Sequence, residues 1–163
     1  MDSVSRDNSH ANGSAYRSLK IDESYNLNAV WLHELFFANM SDVHSEIMAD
    51  SMAYMRLERD FGTFDDWQID FIANGMSSRN GWAICGYHMF LQRYVNFFID
   101  AHDQHVPMGV YPVIVIDMWE HAFTKDYLEH KKDYLIGQMK ELNWQIIESR
   151  FERAEKIANA LGK

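Results

Sequence analysis

The sequence predicts an α+β fold: N-terminal helices, then a small three-stranded antiparallel sheet flanked by further helices. Three observations predict it. Apolar side chains recur at helical spacing through roughly the first half of the chain. Three short runs rich in aromatic and β-branched residues follow, "WAICGYHMF", "RYVNFFIDA" and "VYPVIVIDM", with turn-like links between them. Beyond Lys125 the chain returns to helical spacing and strong helix formers.

Taken in order, residues 1–18 are rich in Ser, Asn, Asp and Gly and read as an irregular arm. A single domain is expected over 19–163, with a helical part over 19–79 and an α/β part over 80–163. From about residue 23 to 40, "ESYNLNAVWLHELFFANM" puts Val30, His33, Phe36, Phe37 and Met40 near one helical face. Asp42 stands where an N-cap would open "VHSEIMADSMAYMRLERDFG", which Gly62 closes. Thr63 and Asp66 resemble a capping box at the head of "FDDWQIDFIANGM". The nearly continuous apolar run "VYPVIVIDM" marks a strand covered on both faces. The last helical stretch has a break expected near Gly137 or Asn143.

Composition excludes several classes. With 47% hydrophobic residues the chain has ample material for a core. Its formal net charge of −9 offers nothing to a nucleic acid or an anionic membrane. The one cysteine, Cys85, forbids an intramolecular disulfide and a thiolate-based zinc site. No apolar run reaches the length of a membrane span. "MDSVSRDNSHANGSAYRS" lacks the apolar segment of a secretory signal, and Asp2 and Asp7 fit a mitochondrial presequence poorly. A cytoplasmic location is the expectation.

Chemistry concentrates at "IDMWEHAF". Asp117 ends a buried apolar strand, where an unpaired carboxylate is costly; it needs a cation, several N–H groups or a metal. His121, four residues on, faces the same point if the chain turns helical there. His33 interrupts the apolar stripe of its own helix, beside Trp31 and Phe36. By itself it reads first as a hydrogen-bonded core histidine and only second as a ligand. Two imidazoles with one carboxylate suit iron or manganese better than structural zinc.

The motif "DMWEHAF" resembles the D-x-W-E-H-A-Y signature of the iron/manganese superoxide dismutase family. "YNLNAVWLHELFF", "FGTFDDWQIDF", "NGWAICGY" and "KKDYLIGQMKELNWQIIESRF" are similar to further stretches of that family, in the same order, from residue 24 to residue 152. The resemblance implies the family's fold for 19–163, and one iron or manganese ion held by His33, Asp117 and His121. It implies an aromatic wall from Trp82 and Trp119, and a dimer-linking role for Glu120. Family members carry a glutamine that hydrogen-bonds the metal-bound solvent. The iron type supplies it four residues before the helix histidine, where this chain has Ala29. The manganese type supplies it from the sheet, where Gln104 before Pro107 fits; an alternative alignment places His102 there. Gln104, Trp119 and Glu120 are therefore the candidate catalytic residues, and Gln104 points to manganese.

The sequence also departs from the family. The helix that carries the family's first metal histidine and gateway tyrosine has no evident counterpart before His33. His10 and Tyr16 are the upstream candidates, at the wrong spacing. Phe123 and Thr124 stand where the family has tyrosines. Two readings follow. One is a homodimeric superoxide dismutase with superoxide as substrate. The other is a catalytically degenerate subunit of the same fold in a larger assembly such as a ribosome, respiratory complex or virion.

Overall fold

A computed structural model describes residue 6, residues 9–40 and residues 45–162 of the chain. Helix α1 spans Ala15–Asn39, α2 Met52–Phe61 and α3 Phe64–Ser77. Strands β1 (Gly81–His88), β2 (Arg93–Asp100) and β3 (Val110–Asp117) follow, then α4 (Glu120–Tyr127), α5 (Lys131–Lys140) and α6 (Trp144–Ala160). The α+β architecture matches the sequence expectation.

Both pairings in the sheet are antiparallel, and the strand order is β2-β1-β3. Central β1 alternates its side chains between two cores. Trp82 and Ile84 join Leu32, Ile99 and Val115 in the smaller one, under α1. Ala83, Cys85 and Tyr87 enter the larger one with Leu57, Trp67, Phe71 and Phe151 of the other helices. This two-sided cover explains why the last six residues of β3 are all buried and why its sequence reads as unbroken apolar residues. Gly81 opens β1 because no side chain fits: a Cβ there would lie 1.9 Å from the Ile99 carbonyl oxygen on β2.

Three boundaries differ from expectation. α1 starts at Ala15, so the irregular arm ends four residues earlier than its composition suggests. Ser14 caps the helix, its hydroxyl accepting from the Arg17 N–H. The second helix starts only at Met52, where Ser51 caps it and accepts from the Tyr54 N–H. Asp42, its expected cap, lies outside the described residues. Ser45 instead makes a parallel bridge to Asn143, so a tertiary pairing overrides local helix propensity there. Thr63 caps α3 as expected, accepting from the Asp66 N–H, and Gly62 ends α2 at φ 100°. Of the two candidate breaks near the C-terminus, Asn143 is the real one. Its side chain accepts from the Gln145 and Ile146 N–H groups at the head of α6, while Gly137 lies inside α5.

One buried cation ties the layers together. Arg150 of α6 is 5% exposed. It donates to the Asn39 side chain and to the Leu35 carbonyl (2.9 Å) on α1, and to the Val113 carbonyl (3.1 Å) on β3. Asn39 in turn donates to the Val115 carbonyl at 2.7 Å. The C-terminal half of α1 is thereby fixed across β3.

Candidate metal centre

Three elements meet at one end of β3. α1 brings His33, the last residue of β3 is Asp117, and the first turn of α4 carries His121. One ligand-type atom from each lies within 4.8 Å of the other two. His121 Nε2 is 3.2 Å and His33 Nε2 3.9 Å from the same carboxylate oxygen, Asp117 Oδ2. The His33 tautomer is set from within its helix: Nδ1 lies 2.7 Å from the Ala29 carbonyl, which can only accept. When His33 is neutral its Nε2 therefore offers a lone pair to the cluster.

Asp117 is 2% exposed. Its Oδ1 accepts from the Trp119 N–H at 2.9 Å, and the Tyr134 hydroxyl donates to its main-chain carbonyl at 2.8 Å. Burial pushes its carboxyl above the usual carboxylate range, against the opposing pull of the Trp119 N–H and the two histidines. A carboxylate in that setting is stabilised by a cation. Two imidazole nitrogens and one carboxylate oxygen form a donor set suited to iron or manganese, so the residues present fit such an ion.

Aromatic rings wall one side of the cluster. Trp82, fully buried, meets the His33 ring edge-on at 4.8 Å. Trp119 stacks on His121 at 5.9 Å and on His102 at 5.2 Å. His102 is the residue that spacing alone did not single out. It is 7% exposed, its ring is 5.8 Å from that of His33, and its Nδ1 accepts from the Trp82 indole N–H at 3.0 Å. That bond puts the proton of the neutral ring on Nε2. Burial, with help from the neighbouring His33, holds the pKa of His102 below the usual histidine range. It is a neutral donor beside the cluster.

Gln104 stands elsewhere. Ala101 turns the chain in the left-handed region (φ 53°), and Gln104 pairs back to Asp100 through its own backbone. This tight reversal sends His102 inward, where the Asn28 side chain donates to its carbonyl at 2.9 Å, and leaves Gln104 exposed. The structure thus places His102, the residue of the alternative alignment, beside the cluster and Gln104 away from it, so Gln104 gives no ground for manganese over iron. Glu120 lies in the first turn of α4, exposed and outside the three-residue group. Thr124 is exposed too, while Phe123 packs on Tyr134 at 5.6 Å.

His10 cannot join this group as a fourth ligand from its own chain. It is exposed and hydrogen-bonded to Ser14 at the head of α1. His33 sits eighteen residues beyond the first residue of that continuous helix, about 27 Å along its axis. An arm folding back over the site would have to unwind it. The open side remains: the side chains of His33 and His121 are 33% and 63% exposed.

Comparison with known proteins supplies context for this geometry. The family model "Iron/manganese superoxide dismutases, C-terminal domain" matches residues 49–150. An iron superoxide dismutase of Aquifex pyrophilus is 35% identical over 156 residues, covering 96% of this chain and 72% of that protein. Its counterpart in Aquifex aeolicus matches to the same extent. A manganese superoxide dismutase of Mycolicibacterium fortuitum is 31% identical over 131 residues, covering 79% of this chain and 62% of that protein.

Proposed function

Because the chain belongs to the iron/manganese superoxide dismutase family, we propose that it disproportionates superoxide to dioxygen and hydrogen peroxide. The observation that carries this reading is the convergence of His33, Asp117 and His121 on one point, with a buried carboxylate at its centre. Those three residues would hold one iron or manganese ion. When bound, the ion supplies a one-electron couple that takes an electron from one superoxide and gives one to the next; the second also takes up two protons.

The protein's own contribution is positional and electrostatic. His33 is held in one tautomer by the Ala29 carbonyl, and Asp117 is oriented by the Trp119 N–H. Such partners set ligand basicity and ring orientation. Trp82 and Trp119 exclude bulk water from one side, which strengthens every charge interaction inside. His102 takes the place in the pocket expected of Gln104. The neutral ring carries its proton on Nε2, and in this reading that N–H would supply the hydrogen bond expected of a glutamine amide.

The test is superoxide decay followed directly after loading the purified chain with manganese or iron. Decay proportional to bound metal supports the proposal; full metal occupancy with no catalysis sinks it. A second reading, a non-catalytic subunit of a larger assembly, is favoured by the exposure of His121 and by the loss of tyrosines at Phe123 and Thr124. Full occupancy without catalysis is the outcome it expects.

A further inference from the structure

Under α1 the smaller core does not close. Leu32, Ile84 and Ile99, all buried, form the floor of a pocket of about 60 Å³, and Trp31 and Val106, nearly half exposed, stand at its rim. The link between β2 and β3 makes one wall. The reversal at Ala101 turns His102 into it, and Val106 and Pro107 follow along the side. A core normally fills such a space, since atoms lining a void forgo contacts that one larger side chain would restore. Here the space is kept one ring away from the cluster: His102 lines it, and the His102 ring lies 5.8 Å from that of His33.

The wall decides what can enter. Of the described lining residues only Asn28 and His102 are polar, and none is Asp, Glu, Lys or Arg. The grooves beside Trp144 and Lys131, by contrast, are lined with carboxylates. Both polar side chains are already engaged. Asn28 donates to the His102 carbonyl at 2.9 Å, and His102 Nδ1 accepts from the Trp82 indole N–H at 3.0 Å. A buried water needs about two to four polar partners, which this wall does not offer; apolar cavities of this kind stay dry and take small apolar guests. At about 30 Å³ per water-sized body the space admits a guest of about two such bodies. An anion fares worst, because a charge moved into an apolar space without a partner costs far more than a neutral group.

We infer that this pocket takes up dioxygen, the uncharged product of the activity proposed above, and excludes superoxide, its anionic substrate. The two molecules are nearly the same size, so a dry, uncharged site separates them by charge alone. The product then has a place to partition that does not compete with the anion for the open side of the cluster, at His33 and His121. The product role rests on the dismutase reading; the uptake of dioxygen does not.

Methyl NMR of the full chain under rising dioxygen pressure tests the pocket directly, because dioxygen is paramagnetic and speeds the relaxation of nuclei it touches. Leu32, Ile84 and Ile99 should gain several-fold more relaxation than Leu57 and Ile147, which are likewise buried but in the larger core. Val106→Trp at the rim and Val110→Phe from the β3 side should each abolish that excess. Equal enhancement in both cores, or an excess that survives in either folded variant, overturns the pocket. Azide, a small anion, should leave the three methyl signals unshifted; a saturable shift overturns the exclusion of charge. No excess in a chain that dismutates superoxide once loaded with manganese or iron sinks this inference and leaves the functional reading intact. An excess in a loaded chain without catalysis upholds the dioxygen site and removes its role in handling product.

Discussion

Replacing Arg150 by Met tests how the site is held together. The guanidinium is buried and makes three hydrogen bonds, to the Asn39 side chain and to the Leu35 and Val113 carbonyls. Hydrogen bonds from a charged donor contribute about 1.5–3 kcal/mol each, so three are worth roughly 5–9 kcal/mol. Against this stands the cost of burying the charge, which pulls the arginine pKa down from its ordinary value to about 10, or roughly 3 kcal/mol. The apolar variant keeps much of the volume and recovers that cost, leaving a loss of about 2–6 kcal/mol. For a chain of this size, 4 kcal/mol corresponds to a fall in melting temperature of roughly 8–16 °C. Urea unfolding should show a lower midpoint at unchanged slope. Metal affinity should fall as well, because Leu35 and Asn39 anchor the part of α1 that presents His33. A loss of less than about 1 kcal/mol would refute the view that this cation pins α1 across β3.

Asp117→Ala should abolish metal binding and erase the rise in melting temperature that metal gives the parent chain, as followed by calorimetry with and without added Mn²⁺. His102→Ala should lower superoxide turnover while leaving metal content near the parent value, whereas Gln104→Ala, in an exposed turn, should change neither. Cys85 is fully buried and its thiol is pushed far up by desolvation, so Ellman's reagent at pH 8 should modify it only as fast as the chain unfolds. Immediate stoichiometric reaction of the native protein would contradict that packing.

The sheet and most of the site were legible in the sequence because each left a local signature. Asp117 and His121 are four residues apart just after a buried strand, and His33 is a polar residue set among large apolar neighbours. The strands β1 to β3 were bounded by turn residues on both sides. What escaped depended on contacts across the fold. His102 and Gln104 are two residues apart in one link, and only the left-handed turn at Ala101 decides which faces inward. Arg150 reads as an ordinary helix residue until the carbonyls it reaches are brought together by packing. The early start of α1 was hidden because its first turns bury almost nothing, so no apolar period announces them. The helix expected before Ser51 failed for the converse reason: good local propensity lost to the bridge between Ser45 and Asn143.

The claim on which the rest depends is that His33, Asp117 and His121 together hold one ion. Elemental analysis of the chain after equilibrium loading with manganese or iron, run beside His33→Ala, Asp117→Ala and His121→Ala, measures it directly. One ion per chain in the parent, lost from each variant, is the expected result. A parent chain that retains no metal, or variants that retain all of it, would contradict a shared site at these three residues.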